Sequence, residues 1–326
     1  MKAVVAPKYG SPDVLQLSEV EKPTLEDDRV LVRVHAASVN AMDWHLLRGK
    51  PFLVRLMGFG LLRPKHRILG GDFAGRVEAV GERETRFHPG DDVFGNQLGS
   101  FAEYVSARRE RLTSKPANIS FEAAAAVPVA AVTALQGLRD KGQIRPGQKV
   151  LIVGASGGVG TFAVQIAKSF GAEVTAVCST GNVDRVRSLG ADRTIDYTRE
   201  DFARSADKYD LILVVNGQRR LSSYKRALRP NGRCVMIGGG SLSQLMGGGL
   251  LWPFLSGGKG SKYGGIMANV TTEDLDFLRP LLETGKVVPV VEKRYTLNQV
   301  PEAIKYVEAG HARGKSVITL EPGPVP

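Results

Sequence analysis

Residues Val150–Ala172 read VLIVGASGGVGTFAVQIAKSFGA: an apolar run, a glycine-rich turn, and a segment with apolar residues at helical spacing. Gly154, Gly157 and Gly160 stand at every third position of the turn, with Gly158 in addition. Glycine is needed where a backbone turns tightly, where a diphosphate touches it, and where a helix packs on a strand. The free N–H groups of the following helix then point at the phosphates. The stretch therefore predicts a dinucleotide-binding turn, with a purely structural turn as the alternative.

Strand and helix patterns alternate on both sides of this turn. Helices are predicted at Val159–Phe170, Val183–Leu189 and Arg219–Leu228, with short apolar strands between them. Parallel strands need crossover connections and bury both faces, which suits the continuously apolar runs VLIV and LILVV. The pattern predicts a doubly wound parallel sheet.

The regions before and after the predicted parallel sheet have a different sequence pattern. Residues 1–117 are short β-rich segments punctuated by Gly, Pro and Asp, typical of a compact barrel or partly open β unit. After residue 265 a helix, strand, helix, strand pattern follows. We therefore expect one domain made of residues 1–117 plus 266–326, with residues 118–265 inserted as the dinucleotide-binding domain.

Composition narrows the function classes. The chain has 326 residues, 43% of them hydrophobic, and a net charge of +11, with Lys and Arg scattered along it. Scattered cations argue against nucleic-acid binding. Its two cysteines, Cys178 and Cys234, lie in apolar runs predicted to be buried strands, which supports neither a disulfide framework nor a cysteine metal site. The N-terminal residues do not resemble a signal peptide, so a cytoplasmic location is expected.

Two apolar windows, 52–62 and 241–255, are too short or too interrupted to span a bilayer. They are interpreted as a lid over a substrate cleft, a contact with a second subunit, a peripheral membrane contact, or a satellite core. The cations in and beside the first window are Arg55, Arg63, Lys65 and Arg67.

The residues after the second predicted strand of the sheet help to distinguish an NAD site from an NADPH site. NAD sites usually carry Asp or Glu there, to bind the ribose hydroxyls. This chain has Ser179, Thr180 and Asn182 instead, with Arg185 close by. A carboxylate would repel a 2′-phosphate, so its absence favours NADPH. The alternative is that these residues only turn the chain into a helix.

Several sequence blocks occur in the order typical of one protein family. Together they resemble the medium-chain dehydrogenase/reductase superfamily over nearly the whole chain, and within it the zinc-independent quinone oxidoreductase branch. The resemblance implies a Rossmann-type sheet inserted into a GroES-like β-rich barrel domain. The blocks are AASVNAMDWHLLRG (36–49), LGGDFAGRVEAVG (69–81), FHPGDDVFG (87–95), GSFAEYVSA (99–107), AAAVPVAAVTAL (124–135), VGASGGVG (153–160), LGADRTIDY (189–197) and GHARGKSVI (310–318).

The resemblance also bears on metal binding. Asn40 and Gly71 stand where the zinc alcohol dehydrogenases of this superfamily carry a Cys and a His, which leaves Asp43 and Asp72. A catalytic zinc needs three good ligands, and the five histidines show no metal-ligand spacing, so no metal is expected. Without a strong Lewis acid the acceptor must take hydride readily by itself, as a quinone or an α,β-unsaturated carbonyl does. The prediction is an NADPH-dependent, zinc-independent reductase of such acceptors.

Site residues follow from the same resemblance. Asn40, Asp43 and Thr133 are implied at the nicotinamide end, with Asn40 bonded to the nicotinamide ribose or the acceptor oxygen. The structural alternatives are a buried turn for Asn40, a helix cap for Asp43 and a hydrogen bond within the helix for Thr133. A structural role is also the alternative for Lys315. The cofactor-binding set comprises Asn40, Thr133, Gly154, Ser156, Gly157, Gly158, Val159, Ser179, Thr180, Asn182, Arg185, Tyr197, Asn216, Gly238, Arg313 and Lys315.

Two other function classes stay open. One is an enoyl-thioester reductase, which usually needs a Tyr proton donor near the cleft. The other is a non-catalytic NADPH-binding sensor or partner protein. The expected partners are a small lipophilic electrophile and a second copy of the chain in a homodimer. No residue is named as a proton donor, since quinone reduction can take protons from solvent.

Overall fold

The computed structural model describes residues 1–52, 55–217, 219–237 and 262–320. Gly238 and the 241–255 window lie outside the described residues. The strands are β1 Lys2–Val5, β2 Gln16–Glu19, β3 Arg29–Val39, β4 Asp72–Val80, β5 Asp92–Asn96, β6 Tyr104–Arg108, β7 Leu112–Ser114, β8 Lys149–Val153, β9 Glu173–Cys178, β10 Arg193–Asp196, β11 Tyr209–Val214, β12 Leu228–Ile237, β13 Lys262–Ile266, β14 Val291–Thr296 and β15 Lys315–Thr319. The helices are α1 Ala41–Arg48, α2 Phe121–Ala125, α3 Pro128–Gln136, α4 Gly158–Ser169, α5 Val183–Ser188, α6 Leu221–Ala227, α7 Thr272–Glu283 and α8 Val300–Glu308.

The chain divides into two compact units. Unit 1 comprises residues 1–129, 270–284 and 289–326, and unit 2 comprises residues 130–269 and 285–288. Residues 118–129, which the sequence places with the inserted domain, pack in unit 1. The reason is α2, where the carboxylate of Glu122 accepts hydrogen bonds from Arg294 Nε at 2.7 Å and Thr319 Oγ1 at 2.9 Å.

Unit 2 contains the parallel sheet. Its described strands run in the order β10-β9-β8-β11-β12-β13, and every neighbouring pair is parallel. The most apolar strands, β8 and β11, lie next to each other at its centre, and strand order reverses between them. Open parallel sheets bind ligands at the carboxyl ends of the strands beside such a reversal. The predicted doubly wound sheet is confirmed.

Unit 1 is built on a largely antiparallel sheet in the order β14-β15-β3-β4-β5-β7, with β6 also paired to β3. The long strand β3 shifts register against β4 at two points, and such irregularities bend a strand and help a sheet to curl. Pairing of β15 with β3 sets Ser316 opposite Val39, so Lys315 comes next to Asn40. Large buried side chains of this unit include Phe73, Phe87, Phe94, Phe101 and Leu112.

Together the two units confirm the predicted GroES-like domain with an inserted Rossmann-type domain. The helix, strand, helix, strand pattern after residue 265 corresponds to α7, β14, α8 and β15. Both cysteines are buried and unbridged, on β9 and β12. Within the described ranges, no helix is both long and apolar enough to cross a membrane.

Candidate active site

The glycines of the turn after β8 have separate structural reasons. Gly154 has φ +82°, and a Cβ on it would lie 2.8 Å from the backbone nitrogen of Asn216. A Cβ on Gly160 would lie 2.1 Å from the carbonyl oxygen of Gly154. Around Gly157 the nearest atom would be 3.7 Å away, so this backbone faces open space. Two glycines therefore shape the turn and the third leaves room for a ligand.

The turn opens onto the N-terminus of α4. The first helical hydrogen bond beyond the turn runs from Thr161 N–H to the Gly157 carbonyl at 3.0 Å, so the N–H groups of Gly158, Val159 and Gly160 precede it. Ser156 and the residues that follow it up to Val159 are partly exposed. Free N–H groups and the positive end of the helix dipole fit a diphosphate.

Side chains at the ends of β9 and β10 face one another. Asn182 is only 4% exposed, and its Nδ2 donates to Ser179 Oγ at 2.9 Å. Thr180 Oγ1 donates to Asp196 Oδ2 at 2.6 Å. Ser179 and Thr180 remain accessible, whereas Asn182 is directed inward and supports Ser179. Tyr197, next along the chain, is 54% exposed.

Asp196 is a carboxylate that the sequence prediction missed. It ends β10, and it also accepts hydrogen bonds from Thr198 N–H at 3.0 Å and Thr198 Oγ1 at 2.7 Å. The hydrogen bond from Thr180 does most to hold its pKa below the ordinary value. Arg199 Nε lies 3.5 Å from the same carboxylate. The loop that carries Ser179 is thus hydrogen-bonded through Thr180 to the Asp196 carboxylate. That carboxylate already has a cation, Arg199, and further donors on Thr198.

Unit 1 contributes a second candidate region, centred on Asp72. This carboxylate is fully buried at the start of β4. It accepts hydrogen bonds from Asn40 Nδ2 and Asn96 Nδ2, both at 2.9 Å, from Ser38 Oγ at 3.3 Å, and from Val129 N–H at 3.2 Å. Burial raises the pKa of Asp72, and the Lys315 ammonium and these donated hydrogen bonds oppose that shift. The block LGGDFAG was the only sequence signal for this residue.

Lys315 closes the other side of Asn40. Its side chain is 3% exposed, and Nζ donates to the Asn40 Oδ1 at 2.6 Å and the Val39 carbonyl at 3.1 Å. The ammonium lies 3.9 Å from the Asp72 carboxylate. The Asn40 amide is therefore held in one orientation, its oxygen on a cation and its nitrogen on an anion. Burial lowers the pKa of Lys315, and the nearby carboxylates oppose that shift.

Asp43 completes this buried network, which consists of Asn40, Asp43, Asp72 and Lys315. It is the third residue of α1, and its Oδ2 accepts the Asn40 backbone N–H at 2.7 Å, as in a capping box. Burial raises the pKa of Asp43 to about 7, with Asp72 adding to the shift and the Asn40 hydrogen bond opposing it. One member of the network therefore changes charge near neutral pH.

The remaining predicted residues fall in both units. Thr133 lies in α3 and is 6% exposed. Asn216 follows β11 and is exposed beside Gly154. Arg185, in α5, is also exposed. Arg313 is exposed, and its backbone N–H donates to Glu292 Oε2 at 2.6 Å. The structure thus brings Asn40, Asp43 and Lys315 together in unit 1, and the turn and Ser179 loop together with β8 and β9 in unit 2.

Known proteins resemble this chain in sequence and in fold. Residues 26–117 match the alcohol dehydrogenase GroES-like domain, and residues 189–318 match the family described as zinc-binding dehydrogenase. A 2-methylene-furan-3-one reductase of Solanum lycopersicum is 36% identical, over 98% of this chain and 79% of the relative. The chain belongs to the medium-chain dehydrogenase/reductase superfamily. It falls in the branch of quinone oxidoreductases and alkenal reductases.

Two further relatives support this placement in the superfamily. An NADPH-dependent alkenal/one oxidoreductase of Arabidopsis thaliana, described as chloroplastic, is 33% identical over 98% of this chain and 79% of its own. The quinone oxidoreductase structure from Coxiella burnetii has a TM-score of 0.86 at 29% identity, covering 98% of this chain and 99% of that one. The protein is accordingly an NAD(P)H-dependent oxidoreductase of this type. Within the described ranges, no group of three or more His, Cys, Asp or Glu side chains suits a metal ion.

Proposed function

We propose that this reductase uses NADPH to reduce α,β-unsaturated carbonyls and quinones, and that it does so without zinc. The observation that carries the proposal is the Lys315 ammonium, which lies 2.6 Å from the Asn40 amide oxygen and 3.9 Å from Asp72. A cation of the protein itself therefore neutralises the carboxylate beside Asn40.

The donor set does not fit a catalytic zinc. Zinc in catalytic sites takes three protein ligands from thiolate, imidazole and carboxylate groups. Asn40 offers an amide oxygen that is already bonded to Lys315, and Gly71 has no side chain. A divalent ion would also meet the ammonium of Lys315 at close range. With no strong Lewis acid from this set, the acceptor must itself be electrophilic.

The chain's own residues then hold the reactants. When bound, the nicotinamide supplies the hydride. Asn40 uses one amide hydrogen on Asp72 and has a second to donate to an oxygen of the acceptor or of the nicotinamide ribose. Because Asp72 and Lys315 lock the amide, this donor needs no reorganisation as negative charge develops on the acceptor. A solvent proton completes the reduction.

The preference for NADPH rests on the Ser179 loop. The residue that ends β9 is Cys178, and Ser179 follows it, so no carboxylate stands at the position that would meet a 2′-phosphate. Asn182 supports Ser179, and Arg185 supplies positive charge nearby. The Asp196 carboxylate is already bonded to Thr180 and Thr198, which leaves the Ser179 hydroxyl to bind phosphate.

The test measures cofactor oxidation with a matched panel of acceptors. The panel holds an enone, an alkenal, a short quinone, an enoyl thioester and a saturated aldehyde, each with NADPH and with NADH. We expect turnover of the enone, alkenal and quinone with NADPH, and none of the aldehyde. Turnover confined to the enoyl thioester would favour the enoyl-thioester reductase. Tight NADPH binding with no turnover at all would favour a sensor or partner protein.

The binding partners and location are part of the same proposal. We expect a small lipophilic electrophile in the site and a homodimer in solution, the latter measured by light scattering on a sizing column. The cytoplasmic location stays a prediction, since the Arabidopsis thaliana relative is described as chloroplastic.

A further inference from the structure

Exposed apolar side chains concentrate in one part of unit 1. Phe52, Leu56, Leu61 and Leu62 are 58%, 60%, 52% and 86% exposed. Such side chains scattered singly need no explanation, but four within eleven consecutive residues, 52–62, mark a contact surface. They lie between α1 and β4, in a stretch of chain that also carries many cations.

That stretch has a one-sided charge. Between Asp43 and Asp72 the sequence contains six Lys and Arg residues and no Asp or Glu. Arg48 is paired with Glu308, and Arg55 packs over the Tyr9 ring at 4.3 Å. The other four, Lys50, Arg63, Lys65 and Arg67, are exposed, and none has an ion-pair partner among the described residues. The apolar side chains are thus accompanied by uncompensated positive charge.

The backbone beneath this surface is anchored. The Tyr9 hydroxyl lies 2.9 Å from the Phe59 carbonyl oxygen and 2.5 Å from that of Gly60. Lys65 N–H donates to the Phe59 carbonyl at 2.8 Å, and the Phe59 side chain packs on the core of unit 1. The segment is therefore held to the unit at Phe59 and Gly60, while Phe52, Leu56, Leu61 and Leu62 stay exposed.

We propose that the exposed apolar and cationic residues of this stretch, the Leu61 surface, dock on a lipid bilayer that contains anionic headgroups. Its members are Lys50, Phe52, Leu56, Leu61, Leu62, Arg63, Lys65 and Arg67. Apolar side chains that enter the acyl boundary, beside cations that meet lipid phosphates, are the combination by which proteins lie on a membrane surface. This docking goes beyond the proposed reductase activity and does not depend on it.

Other occupants fit the chemistry less well. A second copy that met this surface by two-fold symmetry would bring the same cations together with no carboxylate between Asp43 and Asp72 to compensate them. A single-stranded nucleic acid would favour aromatic side chains for stacking, and three of the four exposed apolar residues are leucines. A bilayer with anionic headgroups offers negative charge to the cations and an acyl region to the apolar side chains.

The test uses the full chain without NADPH or acceptor, sedimented with vesicles of phosphatidylcholine alone or of phosphatidylcholine and phosphatidylglycerol at three to one. Binding to the anionic vesicles is expected, with release as ionic strength rises from about 0.02 M to about 0.5 M. Replacing Arg63 and Lys65 together by Gln is expected to weaken binding about 30-fold. Replacing Leu61 and Leu62 together by Ser is expected to weaken it by at least about tenfold.

Control variants carry comparable substitutions at exposed residues of unit 2. Lys141→Gln with Lys286→Gln alters two exposed cations of unit 2, and Met267→Ser removes a side chain that is 67% exposed. Both are expected to bind anionic vesicles like the wild type, and thermal melting checks that every variant is folded. Absence of binding to anionic vesicles would overturn the proposal, as would equal losses in the controls. A dimer in solution that the Leu61→Ser, Leu62→Ser variant abolishes, without vesicle binding, would assign the surface to a second copy.

Discussion

The glycine turn of unit 2 and the buried network of unit 1 differ in how the chain encodes them. The turn is contiguous, running from β8 through Gly154 and Gly157 into α4, and its contacts are mostly between near neighbours. The network joins side chains from positions 40, 43, 72 and 315. A contiguous motif can be recognised in the sequence from the spacing of its residues. An assembled one exists only once β3, β4 and β15 have paired.

The largest expected effect comes from breaking the network at Lys315. Lys315→Met leaves the Asp72 carboxylate buried without its cation, and loss of one partner of a buried pair costs about 3–5 kcal/mol of unfolding free energy. Denaturant unfolding measures this loss. The double variant with Asp72→Asn removes both charges and is expected to recover more than half of it. Equal losses in the single and double variants would show that the two groups are not coupled.

The next effect concerns Asp43 and pH. Burial raises its pKa from 3.8 to about 7, so the folded protein holds the proton more tightly than the unfolded chain does. This contribution to stability is complete below the unfolded pKa and is lost as pH rises through the folded one, about 4 kcal/mol in all.

Asp43→Asn cannot ionise and lacks this dependence. Unfolding of both proteins at several pH values between 4 and 8 is therefore expected to give stability curves that lie close together near pH 4 and separate as pH rises, because only the wild type loses stability. Parallel curves would contradict the raised pKa of Asp43.

The turn is tested by two glycines that differ in surrounding space. Gly160→Ala puts a Cβ 2.1 Å from the Gly154 carbonyl oxygen, and relieving that overlap is expected to cost about 3 kcal/mol. Gly157→Ala meets no atom closer than 3.7 Å and is expected to keep stability within about 1 kcal/mol. Gly157→Ala should instead weaken NADPH binding, measured by calorimetry. If its affinity for NADPH were unchanged, the open space at Gly157 would not be the phosphate site.

The smallest expected effect is on cofactor choice. Ser179→Asp places a carboxylate where the 2′-phosphate is proposed to bind, and repulsion is expected to weaken NADPH binding about tenfold while NADH binding is kept. Fluorescence titration with both cofactors measures the ratio. Ser169→Asp adds the same charge at the C-terminal end of α4, the opposite end of that helix from the glycine turn, and serves as the control. A shift of equal size in the control would mean that general charge, and not position 179, sets the preference.

Much of the fold was predictable because its elements carry local signals. The helix predicted at Val159–Phe170 is observed at Gly158–Ser169, and the one predicted at Val183–Leu189 at Val183–Ser188. Apolar runs identified β8 and β11, because strands of a parallel sheet are buried on both faces. The packing of residues 118–129 in unit 1 was not visible, since it depends on Glu122 meeting Arg294 and Thr319 far along the chain.

In the candidate site, too, local patterns indicated which residues to consider, and tertiary packing decided where their side chains lie. Asn182 was predicted to offer a donor to the cofactor, but the fold turns its side chain inward onto Ser179. Lys315 was predicted near the cofactor, with a structural role as the alternative, and the fold buries it against Asn40. Side-chain direction at a loop or strand end depends on what packs there, which spacing does not reveal.

The sequence by itself determined the elements, their order and the presence of a glycine turn between β8 and α4, because helix, strand and turn propensities act between neighbours. Only the tertiary structure decided which charges are buried together. The free energy of a buried Asp72, Asp43 or Lys315 depends on the partners that strand pairing brings within a few ångströms, and those partners come from opposite ends of the chain.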